Sequence, residues 1–259
     1  MKTTPAPRDP SGFGFTLVEL LVVLALILGL SVAGFTGYRS LRARANQATS
    51  TENLRQLAAA NLLYAVENQT YAPASDPSNL VRWHGGRDSI GGKFDPEKGY
   101  LSEYLGFSRR VGQCSELARL LSGKAFNEDG SGGYGYNATY IGGTPPNPFM
   151  PNRPANVNNP GRTLMFATTA FAVSKGIQEY PFADPPNSVD ANWRVRGSLQ
   201  PSVHFRFNRK ALVAWCDGHV TVESRTDDKG ENFYGGSNRA ASIGFCGPKH
   251  ENGWWNSRN

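Results

Sequence analysis

One apolar run near the start of the chain constrains it more than any other feature. From Phe15 to Phe35 the sequence reads FTLVELLVVLALILGLSVAGF, and its single charge is Glu19. As a helix, a run of about 20 residues spans a hydrocarbon core of about 30 Å. A carboxylate inside such a run is costly unless a partner charge meets it. Residues 1–14 ahead of it are short, polar and mildly basic, with Lys2 and Arg8 against Asp9. Three readings stand open on the residues alone. A secretory signal peptide fits the basic start and the small residues Ser31 and Ala33 at a cleavage position, but leaves Glu19 unexplained. An uncleaved signal anchor leaves it unexplained too. In the third, Glu19 acts together with the residues before it.

The helical pattern continues past the apolar run. No Pro occurs from Tyr38 to Asn68, and Leu54, Leu57, Ala58, Leu62 and Ala65 form an amphipathic stripe. Gly29, Gly34 and Gly37 weaken a helix by roughly 1 kcal/mol each relative to Ala. The alternatives are one helix from Phe15 to Asn68, about 80 Å long, or a membrane helix, a glycine break and a separate surface helix. The formal charge is +6, and the densest basic run, Tyr38 to Arg44, directly follows the apolar segment. Cations in that position anchor a helix at a membrane interface, so no nucleic-acid partner is expected.

The junction Gly12-Phe13-Gly14-Phe15-Thr16-Leu17-Val18-Glu19 resembles the leader junction of type IV prepilins. The resemblance implies cleavage between Gly14 and Phe15 by a prepilin peptidase and N-methylation of Phe15. It also implies that Glu19 pairs with the terminal amine of a neighbouring subunit during assembly. A buried carboxylate and an incoming amine are physically matched partners.

The rest of the chain reads as a turn-rich head. Tyr71 to Gly99 is expected as loop, Glu97 to Leu105 as a short helix or turn, and Ser115 to Leu121 as a short helix. Tyr134, Tyr136 and Tyr140 alternate as in an extended segment with one covered face, and Thr163 to Val173 is a buried strand. Ala211 to Cys216, Asp217-Gly218, and His219 to Val222 read as a hairpin with a two-residue type I′ turn. That register sets Cys216 opposite His219 and Trp215 opposite Val220, with Trp215 on the other face. Trp254 and Trp255 are candidate plugs in an irregular tail. His204 with Asp217-Gly218 also resembles the His-x9-Asp-Gly signature of prepilin-like proteins with a DUF1559-type domain, although twelve residues intervene here.

Together the resemblances imply an α+β, pilin-like fold: a long N-terminal α-helix packed on an antiparallel β-sheet with extensive loops. The expected organisation is a leader at 1–14, a transmembrane and filament-core helix at 15–36, its amphipathic continuation at 37–70, and a β-rich head at 71–259. The implied partners are other pilin or pseudopilin subunits, the prepilin peptidase and the bacterial inner membrane, which the chain crosses once with the head on the periplasmic side.

Catalytic motifs are missing from the sequence: it holds no phosphate loop, nucleophile elbow or His-Glu-x-x-His. No enzyme activity, metal or cofactor is expected. Gly130 to Gly133 reads as a turn. His204, Cys216, Asp217 and His219 read as turn chemistry and packing, and Asp227, Asp228, Glu231 and Asn232 as a solvated acidic loop rather than a calcium site. Cys114, Cys216 and Cys246 permit one disulfide, with the pair unspecified. Alternatives to a filament subunit are a membrane-anchored binding protein that never polymerises and, more remotely, an extracytoplasmic hydrolase.

Overall fold

The computed structural model describes residues 16–122, 128–143, 150–190 and 192–259. The chain divides into two compact units, Met1–Arg44 and Ala45–Asn259. It belongs to the mixed α+β class, with helices and antiparallel sheets. The first element, α1 (Leu17–Asn68), is one 52-residue helix, so the glycines at 29, 34 and 37 do not end it.

In the first unit, the large apolar side chains from Leu17 to Leu30 are all exposed, on every face of the helix. The second unit holds the core. There Leu54, Leu57, Ala58 and Ala65 are buried as the stripe requires, and Leu62 is partly covered. The same face also carries polar residues that periodicity would assign to water. Ser50 and Asn61 are buried; Ser50 Oγ donates to Cys114 Sγ at 3.3 Å, and Asn53 Nδ2 donates to Tyr134 Oη at 3.0 Å.

After α1 come a tight hairpin, β1 (Val81–Arg82) and β2 (Gly85–Gly86), and a short helix, α2 (Ser115–Leu120). The hairpin lies where loop was expected. The strands that follow are β3 (Tyr134–Tyr136), β4 (Leu164–Thr168), β5 (Phe171–Val173), β6 (Gly176–Gln178), β7 (Asn187–Val189), β8 (Val195–Ser198), β9 (Val203–His204), β10 (Lys210–Trp215), β11 (Val220–Asp227) and β12 (Ile243–Cys246). The main sheet runs β3-β4-β10-β11-β12-β9, with antiparallel neighbours. It curls back on itself, because Thr169 bridges Val203 and Thr168 Oγ1 donates to His204 O at 3.1 Å.

The continuous apolar run of β10 follows from burial on both faces. Leu212, Ala214 and Cys216 join the cluster that contains the α1 stripe, Tyr136 and Phe166. Ala211, Val213 and Trp215 join a second cluster with Leu164, Phe245 and Trp255. Successive strand side chains point to opposite faces, so one strand supplies both cores.

Two expectations are corrected here. The single strand over Thr163–Val173 divides after Thr169: Thr169 N still donates to Gly133 O at 2.9 Å, in register with β3, whereas Ala170 N turns to Ser202 O at 3.0 Å; β5 pairs with β6 instead. Tyr140 is not in an extended segment: it sits on a wide helical turn, Ala138–Gly142, capped by Asn137 Oδ1 at 3.2 Å.

The two ends of this core are joined by a closed ring of hydrogen bonds. Asn61 Nδ2 donates to Tyr136 Oη at 3.0 Å, Tyr136 Oη donates to Ala72 O at 3.0 Å, and Ala72 N donates to Asn61 Oδ1 at 2.8 Å. Asn61, Tyr136 and Ala72 are all fully buried. Removing one member strands the others away from water. Asn61→Ala is expected to lower unfolding stability by about 2–4 kcal/mol through an unpaired Ala72 N–H and a cavity, while Leu63→Ala on the exposed side stays within about 0.5 kcal/mol. Denaturant titration of the two variants measures the difference.

Candidate functional site

The described N-terminal end is built around Thr16 and Glu19; Gly14 and Phe15 lie outside the described residues. Thr16 precedes the first helical residue, and its Oγ1 accepts from Glu19 N at 3.2 Å. Glu19 Oε2 in turn accepts from Thr16 N at 2.9 Å and Thr16 Oγ1 at 2.8 Å. This is a reciprocal capping box, and it satisfies amides that a helix start leaves open. The signal was in the sequence as Thr-x-x-Glu and was obscured by the apolar run around it. Both bonds to the Glu19 carboxylate end on Oε2. Among the described residues no helix is long and apolar enough to cross a membrane.

The hairpin places Asp217 and Gly218 in its turn, but with a different register. Ala214 pairs with Val220, and Trp215 N donates to His219 O at 3.0 Å. The loop therefore holds three residues, Cys216, Asp217 and Gly218. Gly218 takes φ +93° while Asp217 keeps a negative φ, so the type I′ turn does not form. Asp217 Oδ1 accepts from His219 N at 3.1 Å and sits 2.5 Å from its Nδ1. Trp215 and His219 are stacked at 5.7 Å and share a face, contrary to the expected alternation. His204 is elsewhere: it is buried in β9, with Arg206 Nη1 3.1 Å from its Nδ1.

Among the described residues no group of three His, Cys, Asp or Glu side chains is placed to hold a metal ion. Asp227 is occupied by Lys249 at 2.9 Å, and Asp228 by Arg239 at 3.2 Å. The three cysteines are buried and unpaired, so the disulfide permitted by their number does not form. Burial pushes the Cys216 and Cys246 thiols well above the ordinary range.

A different feature of the head stands out. Between β1 and β2, Trp83 donates Nε1 to Pro181 O at 2.9 Å and fixes the turn that carries His84. His84 is 1% exposed, wedged against Trp83 and Phe94 (ring centroids 5.0 and 4.8 Å). Neither of its ring nitrogens finds a partner on another described residue. Buried polar groups are nearly always bonded, so an orphaned imidazole calls for explanation. It lines a pocket of about 510 Å³ with Phe94, Gln56, Arg110, Gln113 and Gly130. Gly130 is needed at this wall: its φ is +109°, and a Cβ there would lie 3.3 Å from His84 Nδ1. Gly130 N is held by Glu179 Oε2 at 2.9 Å, and Glu179 Oε1 is unpartnered as well. Sequence reading missed this pocket because His84 looked like a loop residue and its lining comes from four separated segments.

Burial, with Arg82 and Arg87 nearby, pushes the His84 pKa down to about 3. The unfolded imidazole protonates near the ordinary 6.5 while the folded one resists, so stability contributed above pH 6.5 is lost as pH falls toward about 3. Asp184 acts in the opposite sense, since burial raises it to about 6 and stability is lost as pH climbs from 3.8 to there. The difference between wild type and His84→Gln isolates the first effect. Unfolding free energies of the two at a series of pH values should show the variant losing less stability on the acid side of 6.5; parallel curves would mean that His84 does not stay neutral.

Compared with known proteins, the chain matches no family model, no curated protein and no solved structure.

Proposed function

We propose that this chain is a type IV pilin-like structural subunit, a pilin or pseudopilin, cut after Gly14 and held by residues 15–35 in the bacterial inner membrane with its head on the periplasmic side. The observation that carries the reading is the first unit: a helix with large apolar side chains exposed on every face from Leu17 to Leu30 and one carboxylate, Glu19, in its first turn. Such a surface is stable only in lipid or against copies of itself. The second unit supports the reading, since the amphipathic half of α1 shares its buried cluster with strands of an antiparallel sheet, the arrangement expected of a pilin head. Subunits extracted from the membrane assemble through their apolar helices into a pilus or secretion pseudopilus.

Glu19 then serves two ends. Its Oε2 caps its own helix, and its charge receives the N-terminal amine of the next subunit. A second reading, a membrane-anchored binding protein that does not polymerise, is favoured by the orphaned His84 and its pocket.

Capping and assembly separate by substitution. Gln at the third helical position still closes a capping box, so Glu19→Gln keeps the cap and removes the charge. Thr16→Val keeps the charge and removes the hydroxyl of the cap. The expected outcome, read as sheared surface filaments or as disulfide-trapped subunit pairs, is that Glu19→Gln abolishes assembly and Thr16→Val only reduces it. Normal assembly of Glu19→Gln would mean that Glu19 is a helix cap and nothing more.

A further inference from the structure

The strongest unassigned feature is an open edge of the main sheet. Across the β10–β11 hairpin, Trp215 N donates to His219 O, and the register continues with Val213 opposite Thr221 and Ala211 opposite Glu223. Hydrogen-bonded pairs alternate along an antiparallel ladder. His219, Thr221 and Glu223 therefore turn their backbone groups toward β10, and Val220 and Val222 turn theirs away. On that side β12 pairs only with Arg225 and Asp227. Among the described residues none bonds the outward N–H or C=O of Val220 or Val222. Natural sheet edges are guarded by Lys, Pro or a bulge. This stretch consists of three β-branched residues, Val220, Thr221 and Val222, and the bulge comes only after it, between Arg225 and Asp227.

The side chains along this edge select its partner. Val220 and Val222 share one face, and Val222 is 47% exposed. His219, Thr221 and Glu223 share the other face with Trp215: Trp215 Nε1 donates to Thr221 Oγ1 at 2.8 Å, and Thr221 Oγ1 donates to Glu223 Oε1 at 2.6 Å. Among the described residues no cation pairs with Glu223. His219 is engaged at Nδ1 by Asp217, and its side chain is 46% exposed. Such an edge is complementary to itself. Let two copies of β11 run antiparallel about a two-fold axis at Thr221. Each Val220 then lies opposite the partner's Val222, so the outward backbone groups of both strands are paired. The same register sets each Glu223 against the partner's His219, a carboxylate against an imidazole. A two-fold interface makes one patch meet itself in this way, and addition of a strand to an open edge is a recurring mode of recognition. A foreign strand would satisfy the backbone, but only a second copy brings the matching charge on both sides of the axis. We propose that the β11 edge is a pairing surface for a second copy of this chain, with Val220–Val222 ladders at its centre and Glu223–His219 pairs at its ends.

The surface lies wholly within the second unit and requires no filament, so its failure would leave the assembly reading intact. The test is sedimentation equilibrium of the full chain in a zwitterionic detergent. Wild type should pair reversibly with rising concentration. Glu223→Lys sets cation against cation and His219→Glu sets carboxylate against carboxylate, so each variant alone should pair at least about tenfold more weakly. Mixed together, the two variants should pair with each other as wild type does, because each supplies the charge that the other lacks. Val222→Pro removes an outward N–H and no bond to β10, at a position where an edge strand tolerates Pro. It should weaken pairing as strongly, and it keeps the test decisive where a charge variant does not fold. Denaturant unfolding of each variant separates lost pairing from lost structure. A wild-type monomer at every concentration, pairing indifferent to Glu223→Lys and Val222→Pro, or a mixture that pairs no better than its components would overturn the proposal.

Discussion

The head is organised around a buried amide. Asn61 closes a three-membered ring of hydrogen bonds with Tyr136 and Ala72, and each side of that ring leads to a different part of the fold. Tyr136 stacks on Phe166 at 4.6 Å and so reaches the centre of the main sheet. Ala72 begins the segment in which Ala74 accepts from Trp83 N at 3.1 Å, and Trp83 carries His84. A leucine at position 61 would continue the stripe but could not set the height and rotation of the helix, because apolar contacts are not directional. The amide is satisfied in only one position.

Much of this was legible in the sequence, though unevenly. The helix and its stripe follow from periodicity, and the short helix at Ser115 and the hairpin from local chemistry. What periodicity hides is the polar part of a buried face: Ser50, Asn53 and Asn61 look like solvent residues until partners 59–81 positions away come to meet them. The turn at Asp217-Gly218 was found, but its register was wrong because one residue, Gly218, takes the left-handed conformation where a type I′ turn needs two. The change moves His219 onto the face of Trp215. β4 and β5 form one apolar run in the sequence, and apolar composition does not show that pairing passes from β3 to other partners at Ala170.

The first unit poses the opposite problem, since the large apolar side chains described on its helix are exposed. Burial of one Leu or Val side chain is worth about 1.5–3 kcal/mol, and Leu17, Leu20, Leu21, Leu24, Ile27 and Leu28 are all more than half exposed. An exposed apolar surface of that kind marks a contact with lipid or with protein. The capping box explains how Glu19 is accommodated before either arrives: its Oε2 is already bonded to Thr16, so the carboxylate is held in place rather than left to find a partner in an apolar phase. An amine delivered by a neighbour would then meet a preorganised acceptor.

The central claim concerns how the mature chain begins. Mass spectrometry of its N-terminal peptide, isolated from native membranes, tests this directly. The account predicts a peptide starting at Phe15 and carrying one N-methyl group. An intact Met1, or a start at Gly34 after removal of the apolar helix, would contradict it.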